Sequence, residues 1–439
     1  MYFPGRSFPL LVGMLLAGEA WIGVWLSFVA MCMAIVWMLR GWVSPSLALL
    51  GGVLVVLRLG LFSYWVNSYW GGAFTALGGM LILGALPRLL RRPDWTHGVL
   101  MGLGAVILLT NRPFEGALLC LPIAVALVVL MFRRHGPPMA RTLVRVGLPA
   151  VAILAAGGWL MLEHNRATTG DALTAPYTVN RQLYAVTPAF LVAPPVNGLE
   201  RGPDYFRTFY EWENGDYENR HHPLKMAWRA TTKLYDVVNF YIGWILIPAF
   251  LAGLWAYRRD WILLGTTTFF FAGFLLQTWG YAHYTAPIFP VLLILLMRGF
   301  AALRDWQPSG RALTRFMPVA VVLSLLIPFA SLTTGWPFIA YNHHNKTCCM
   351  FLNTSLRLDI IAQLKADPGR DIVLVASGER RNHRLPMIYN EPDIASADII
   401  WVNLLDPASN AALLAHHAGR KVWELDWLSD GSPQLRRIG

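Results

Sequence analysis

Apolar residues in this chain come in long unbroken blocks, not with the alternation of a half-buried strand or the single stripe of a soluble helix. A bilayer core takes roughly 20 apolar residues per helix. Blocks of that length fall at 20–39, 44–63, 69–86, 96–111, 113–132, 143–162, 237–256, 261–279, 284–300 and 316–335. The pattern predicts about ten transmembrane helices. Pro and Gly inside several blocks do not argue against them, because neighbouring helices satisfy the backbone groups they free. After residue 341 the texture changes. A helix over 354–366 precedes a strand at Ile372–Ala376, a second at Ile399–Leu404, a helix capped by Asp406 with Pro407 at its first position, and a third strand at Lys421–Leu425. Such alternation predicts a small parallel-sheet domain. No glycine-rich phosphate loop follows any strand, so no nucleotide site is expected.

The expected fold class is therefore an all-α polytopic membrane protein with a small soluble α/β domain at its C-terminus. Composition agrees: the 439 residues are 56% hydrophobic and 14% charged, with 19 Trp, which is too apolar for a soluble protein of this size. The formal charge of +11 changes the picture only through its placement. The arginines sit in short clusters between apolar blocks and not along one face or tail, so no nucleic-acid partner is expected. Lys and Arg accumulate on the cytoplasmic side of a membrane. Arg40, the group Arg88, Arg91 and Arg92, the group Arg133, Arg134, Arg141 and Arg145, the pair Arg258 and Arg259, and Arg298, Arg304, Arg311 and Arg315 occupy alternate loops. These loops are assigned to the cytoplasm. Tyr64–Ser68, the turn Asn111-Arg112-Pro113, the long stretch Glu163–Asp236, Gly280–His283 and both termini are then external, in a multi-pass protein of the inner (plasma) membrane.

Residues 1–18 carry no basic n-region and no small-residue cleavage site, so they are not a secretory signal. The stretch 1–19 is expected to form an external re-entrant or interfacial segment. An outward N-terminus also leads the topology to expect one further helix before Met1. Cys32 and Cys120 lie inside apolar blocks, and a disulfide between adjacent Cys348 and Cys349 would be badly strained, so no redox site is expected.

Candidate chemistry collects at the external helix ends. Arg112 and Glu115 place opposite charges at a tight turn between two membrane helices, where ionisable groups are costly and face a partner or a watery cavity. Either Arg112 pairs locally with Glu115 or snorkels to the interface, or it holds an anionic ligand. His283, with Tyr284, Pro287 and Pro290, opens another helix from the outside. It is either an interfacial residue or part of a phosphate-binding helix N-terminus. Arg58, near the outer end of its helix, reads first as a snorkelling residue. The run Tyr64-Trp65-Val66-Asn67-Ser68-Tyr69-Trp70 is an aromatic belt that would also suit a sugar. The loop 163–236 mixes acids, among them Asp171, Glu200, Asp204, Glu211, Glu213, Asp216 and Glu218, with Arg201, Arg207 and Arg220. It is assigned to covering or shaping a cavity. His221-His222 has no companion at metal-ligand spacing, so no divalent-metal site is expected.

In order and placement these segments resemble the bacterial GT-C membrane glycosyltransferases, the group that includes the ArnT-like and protein O-mannosyltransferase-like enzymes. Tyr2-Phe3-Pro4-Gly5, the apolar Leu10–Gly18 and the helix from Trp21 resemble the family's Pro-Pro-like segment; Phe3 stands where the first Pro is common, and Gly18-Glu19 keeps the later signal. Arg112-Pro113 resembles the family's Thr-Lys-Gly-Pro-like turn. His283-Tyr284-x-x-Pro287-x-x-Pro290 resembles its Arg-Tyr-x-x-Pro-x-x-Pro segment, with His283 in place of the cation, which would make the phosphate role pH-dependent. The resemblance spans roughly 1–335, and the tail looks like the soluble domain some members carry. It implies inverting transfer of a sugar from a polyprenyl-phosphate donor to a glycan, lipid or protein acceptor on the external face, without a further cofactor. Arg112, His283 and Arg58 would bind the donor phosphate, and Tyr64, Trp65, Asn67, Tyr69, Trp70 and Tyr284 would line the substrate cavity. The family's base is an Asp in the first external loop, upstream of the Pro-Pro-like segment. The given residues are thus expected to lack it and to be inactive alone, with Glu115 and Glu19 as weak substitutes. A transporter or flippase, and a non-catalytic scaffold, are the alternative classes; no inverted repeat supports the former.

Overall fold

In the computed structural model the chain divides into two compact units, one carried mainly by residues 1–350 and one mainly by 351–439. The structure describes residues 3–133, 136–196, 210–211, 213–215, 217–306, 308–334, 354–376, 387–391, 393–428 and 432–439. The expectations for Tyr2, Arg134, Glu200, Arg201, Asp204, Arg207, Asp216, Cys348, Cys349 and the boundary at 341 lie outside these residues.

The first unit is helical. Its elements are α1 (Ser7–Ala17), α2 (Ala20–Leu39), α3 (Pro45–Leu59), α4 (Gly72–Arg91), α5 (Trp95–Asn111), α6 (Pro113–Met131) and α7 (Met139–Thr169). After these come α8 (Pro223–Tyr241), α9 (Ile247–Ala256), α10 (Trp261–Leu275), α11 (Phe289–Asp305) and α12 (Ser309–Ala330). Among the described residues five helices are long and apolar enough to cross a membrane, six if α8 and α9 count as one span, and α3, α5 and α10 are shorter apolar helices. The chain is a multi-pass membrane protein. Apolar side chains such as Leu15, Met33, Phe132, Trp159 and Phe329 stay exposed on the helices, as side chains facing lipid do.

At the centre lies α11, where Val291 through Met297 are all buried. A helix apolar on every side has to be enclosed by protein or lipid, and here other helices enclose it. The closest approach is to α9. An added Cβ on Gly299 would fall 1.7 Å from the Ala249 carbonyl oxygen, and one on Gly253 would fall 2.0 Å from that of Leu295. Ala249 and Gly253, small residues four apart on α9, face Gly299 of α11 and let the backbones touch.

The apolar block 237–256 is not one straight span. A bend of 86° separates α8 from the helix that follows. Gly243 sits there at φ 72°, a conformation that glycine adopts at no steric cost. The Arg58 guanidinium donates to the carbonyl oxygens of Asn239 and Phe240. It thereby caps the C-terminal end of α8, where cations are favoured.

Two of the arginines expected on the cytoplasmic side are held by backbone, acidic and aromatic partners. Arg88 donates to the Trp37 carbonyl at 2.7 Å and lies over the Trp37 ring, and Arg298 pairs with Asp260 at 2.6 Å and lies over Trp42 and Tyr257. The turn at Arg112, the loop 60–71 and the segment 280–284 meet one another in a cluster.

The second unit holds α13 (Thr354–Lys365), β1 (Asp371–Val375), β2 (Ile399–Asn403), α14 (Pro407–His416), β3 (Lys421–Trp427) and β4 (Pro433–Arg437). Strand order is β2-β1-β3-β4, with β1 parallel to β2 and β3, and β4 antiparallel to β3. All five residues of β1 are buried. Val373 and Val375 pack with Ile360 and Leu364 of α13, and Ile372 and Leu374 pack with Leu413 and Leu414 of α14. Covering both faces is what a parallel sheet requires. Asp406 caps α14 by accepting from the backbone N–H groups of Ala408 and Ser409, each at 3.0 Å. The edge strand β4 was absent from the sequence expectation; Gln434, Arg436 and Arg437 make it too polar to stand out by hydropathy.

Candidate functional site

A residue before proline is driven out of the helical region, so α5 must stop ahead of Pro113. Arg112 takes φ −145° and ψ 72°. It ends α5 by donating its N–H to the Leu108 carbonyl at 2.8 Å and starts α6 by accepting from the Gly116 N–H at 2.7 Å. The turn projects its side chain. The guanidinium carbon lies 3.7 Å from the centre of the Tyr284 ring, and one guanidinium nitrogen is 3.6 Å from Glu115 Oε1. At that distance the pair is an electrostatic contact, not a hydrogen bond. Among the described residues the Arg112 guanidinium donates no hydrogen bond, which leaves its planar fork open to an anion.

Glu115, buried and in the first turn of α6, stands where the helix dipole favours a carboxylate. Gln277 Nε2 donates to it at 3.2 Å. Gln277 itself is fixed at the end of α10, where Leu191 N–H donates to the Leu276 carbonyl at 2.8 Å and Thr278 N–H donates to the Ala189 carbonyl at 2.9 Å. Lys233 of α8 donates to the Gln277 carbonyl at 2.5 Å.

His283 follows on the short helical turn Ala282–Thr285. It is buried among Trp70, Tyr64, Tyr281 and Tyr284, with ring centroids 4.6 to 5.7 Å away. Tyr64 Oη lies 3.1 Å from His283 Nδ1 and accepts the His283 backbone N–H at 2.9 Å. Burial holds the imidazole pKa well below its ordinary value, and the charges of Arg112 and Arg6 push it further down. The ring is therefore neutral around pH 7. This departs from the sequence expectation of a phosphate contact that titrates near neutrality.

Arg6, like Gln277, is a site residue that the sequence does not single out. The turn Pro4–Arg6 packs so tightly that an added Cβ on Gly5 would fall 2.4 Å from both Thr110 and Asn111. Arg6 is buried and its charge acts on His283. Asn111, fully buried beside it, leaves its Oδ1 without a hydrogen-bond partner among the described residues. A charged residue within an otherwise apolar N-terminal stretch was the available signal.

The structure thus brings together Arg112, Glu115, Tyr64, Trp70, His283 and Tyr284. It does not bring Arg58 to them through any contact of its guanidinium, which is spent on the end of α8. Trp65 packs in the core against Phe240, Tyr241 and Phe289. Tyr69 is exposed and meets Trp21, and Asn67 is half-buried with its Oδ1 unpartnered among the described residues. Glu19 is exposed at the start of α2. No group of three or more metal-type ligands occurs among the described residues.

At the end of α10, next in sequence to Gln277, is a cavity of about 870 Å³. Its walls are mostly apolar, from Leu191, Pro194, Met226, Leu275 and Leu276, and Arg220, Arg229 and Lys233 contribute positive charge. Lys233 connects the two sites, since it both lines the cavity and holds the Gln277 carbonyl.

An all-helical membrane unit with a polar, aromatic cluster at its helix ends and an appended parallel sheet is the architecture that the GT-C resemblance implied. No family model and no curated protein matches the chain. Among solved structures it is similar to the crystal structure of ArnT from Cupriavidus metallidurans in the apo state, with a TM-score of 0.54 and 14% identity over 96% of this chain and 82% of that one. The match extends through both units, and at this identity it establishes a shared fold.

Proposed function

We propose that this chain is an integral-membrane glycosyltransferase that moves a sugar from a polyprenyl-phosphate carrier to an acceptor on the periplasmic face of the inner membrane. One observation carries the reading. At the helix ends of an ArnT-like fold, a largely buried guanidinium without a hydrogen bond among the described residues lies against Tyr284, next to a neutral imidazole. In such a transfer the acceptor hydroxyl attacks the anomeric carbon opposite the phosphate. The bond from that carbon to the phosphate oxygen breaks, its electron pair stays on the phosphate, and the hydroxyl proton passes to a base. Charge grows on the phosphate oxygens, and in this reading Arg112, largely buried against Tyr284, stabilises it. Glu115, engaged by Arg112 and Gln277, is assigned to holding the guanidinium instead of removing the proton. The apolar walls and cationic rim of the neighbouring cavity suit the lipid part of the donor.

A transporter reading gains little from the bend between α8 and α9. Transporters built on inverted repeats break helices at corresponding positions of two halves, and this bend is the single one of its kind among the described residues.

The reading is tested on membranes from cells that make the protein, supplied in turn with polyprenyl phosphates carrying different radiolabelled sugars. Label is expected to move from one of these donors into an acceptor, a result that would also overturn the expectation that the given residues are inactive without the family's Asp. If every donor returns intact from membranes that contain the folded protein, the proposal fails.

A further inference from the structure

We infer that His283 serves the donor as a neutral hydrogen-bond donor through Nε2–H, and that Tyr64 is the positioning residue that fixes this tautomer. The inference rests on the glycosyltransferase reading for its ligand, an anionic phosphate oxygen, but its argument is local geometry.

The Tyr64 side chain is buried in the loop between α3 and α4. Its oxygen already accepts the His283 backbone N–H at 2.9 Å. Among the described residues the one acceptor within reach of its hydroxyl hydrogen is His283 Nδ1, at 3.1 Å. Nδ1 is therefore an acceptor, and a neutral ring must carry its hydrogen on Nε2. A second proton at Nδ1 would set two donors against each other and leave the buried hydroxyl hydrogen without an acceptor. The surroundings oppose that proton as well. Arg112 at the α5–α6 turn and Arg6 in the N-terminal turn both act on the ring with positive charge. Glu115 is engaged by Arg112 and Gln277, and Lys233 of α8 is directed at the carbonyls of Gln277 and Trp279. Tyr241 of α8 donates to the Ala282 carbonyl at 2.7 Å. The rings of Trp70, Tyr281 and Tyr284 complete the enclosure.

Tyr64 thus does more than line a cavity. It turns a residue that ordinarily switches charge near neutrality into a constant donor, so that Arg112 supplies the charge and His283 supplies direction. Phosphate binding should then not vary with imidazole protonation between about pH 6 and 8.

The test uses the full chain in lipid nanodiscs, labelled with ¹⁵N histidine, with the His283 signal assigned by its loss in His283→Ala. The expected spectrum is that of a neutral Nε2–H tautomer, unchanged from about pH 6 to 8, and Tyr64→Phe should release it to a mixture of tautomers. Polyprenyl phosphate is the binding probe. His283→Gln keeps an uncharged N–H near the Nε2 position and should bind close to wild type, whereas His283→Ala and Tyr64→Phe should each lose about tenfold. An imidazolium at pH 7, an Nδ1–H tautomer, or wild-type affinity that rises as pH falls through 6.5 while His283→Gln stays flat would overturn the inference. A fixed Nε2–H tautomer in a protein that binds no polyprenyl phosphate would overturn the donor role together with the reading beneath it, and would uphold only the positioning by Tyr64.

Discussion

Replacing Gly299 by leucine is expected to abolish the folded protein. The missing side chain at this position is what lets α11 lie against α9: an added Cβ would sit 1.7 Å from the backbone oxygen of Ala249 and 2.8 Å from the backbone nitrogen of Gly253. No rotamer relieves a clash with backbone, so the helices must part. Overpacking a core costs about 1–3 kcal/mol when side chains can give way, and the cost here lies above that range because they cannot. Parting α11 from α9 also disturbs the helix that begins just after His283 and Tyr284, so site and fold should fail together. Gly265→Leu is the control, since nothing lies within 4 Å of an added Cβ there. Size-exclusion profiles and thermal unfolding in detergent should show Gly265→Leu like wild type and Gly299→Leu aggregated or absent. A monodisperse Gly299→Leu protein with an unchanged transition would contradict the packing described for these helices.

The second large effect is expected at Arg112. Removing a preorganised donor aimed at developing charge typically costs about 10²–10³ in turnover, and Arg112→Ala removes both the donor and the charge. Transfer should fall by that order while the protein still inserts and elutes normally. Arg112→Lys should recover only part of the loss, because a lysine keeps the charge but not the planar fork or the stacking on Tyr284. Glu115→Gln separates two roles for the carboxylate. As a group that holds Arg112, its loss should mainly raise the KM for the donor; as a base, it would collapse kcat and leave KM alone. Unchanged transfer by Arg112→Ala would remove Arg112 from the mechanism.

Much of this architecture is legible in the sequence, for physical reasons that differ by region. Lipid demands long apolar helices, so the blocks at 20–39 and 113–132 coincide closely with α2 and α6. The same averaging hides the bend at Gly243, because a hydropathy window registers how apolar a stretch is and not whether one glycine turns it by a right angle. In the second unit the buried strands β1 and β2 stand out as apolar runs, while β4, a polar edge strand, does not. At the site, Arg112, His283 and Tyr284 are conspicuous because charge and aromatic polarity are costly at membrane depth and need a reason. Gln277 lies inside an apolar block and gives no such signal, yet it ties Glu115 to α10. Arg6 is visible as a charge, but only the fold carries it to Asn111 and His283. The neutrality of His283 could not be read from its neighbours in sequence. It comes from Tyr64, 219 positions away, and from two arginines on separate elements.

The most direct test of the central claim, that this cluster holds a lipid-linked phosphate, is equilibrium binding of polyprenyl phosphate to the full chain in nanodiscs, compared with the uncharged polyprenol and with Arg112→Ala. Saturable binding of the phosphate is expected, at least tenfold tighter than that of polyprenol, with the difference lost in Arg112→Ala. Equal affinity of wild type and Arg112→Ala for polyprenyl phosphate would contradict the account.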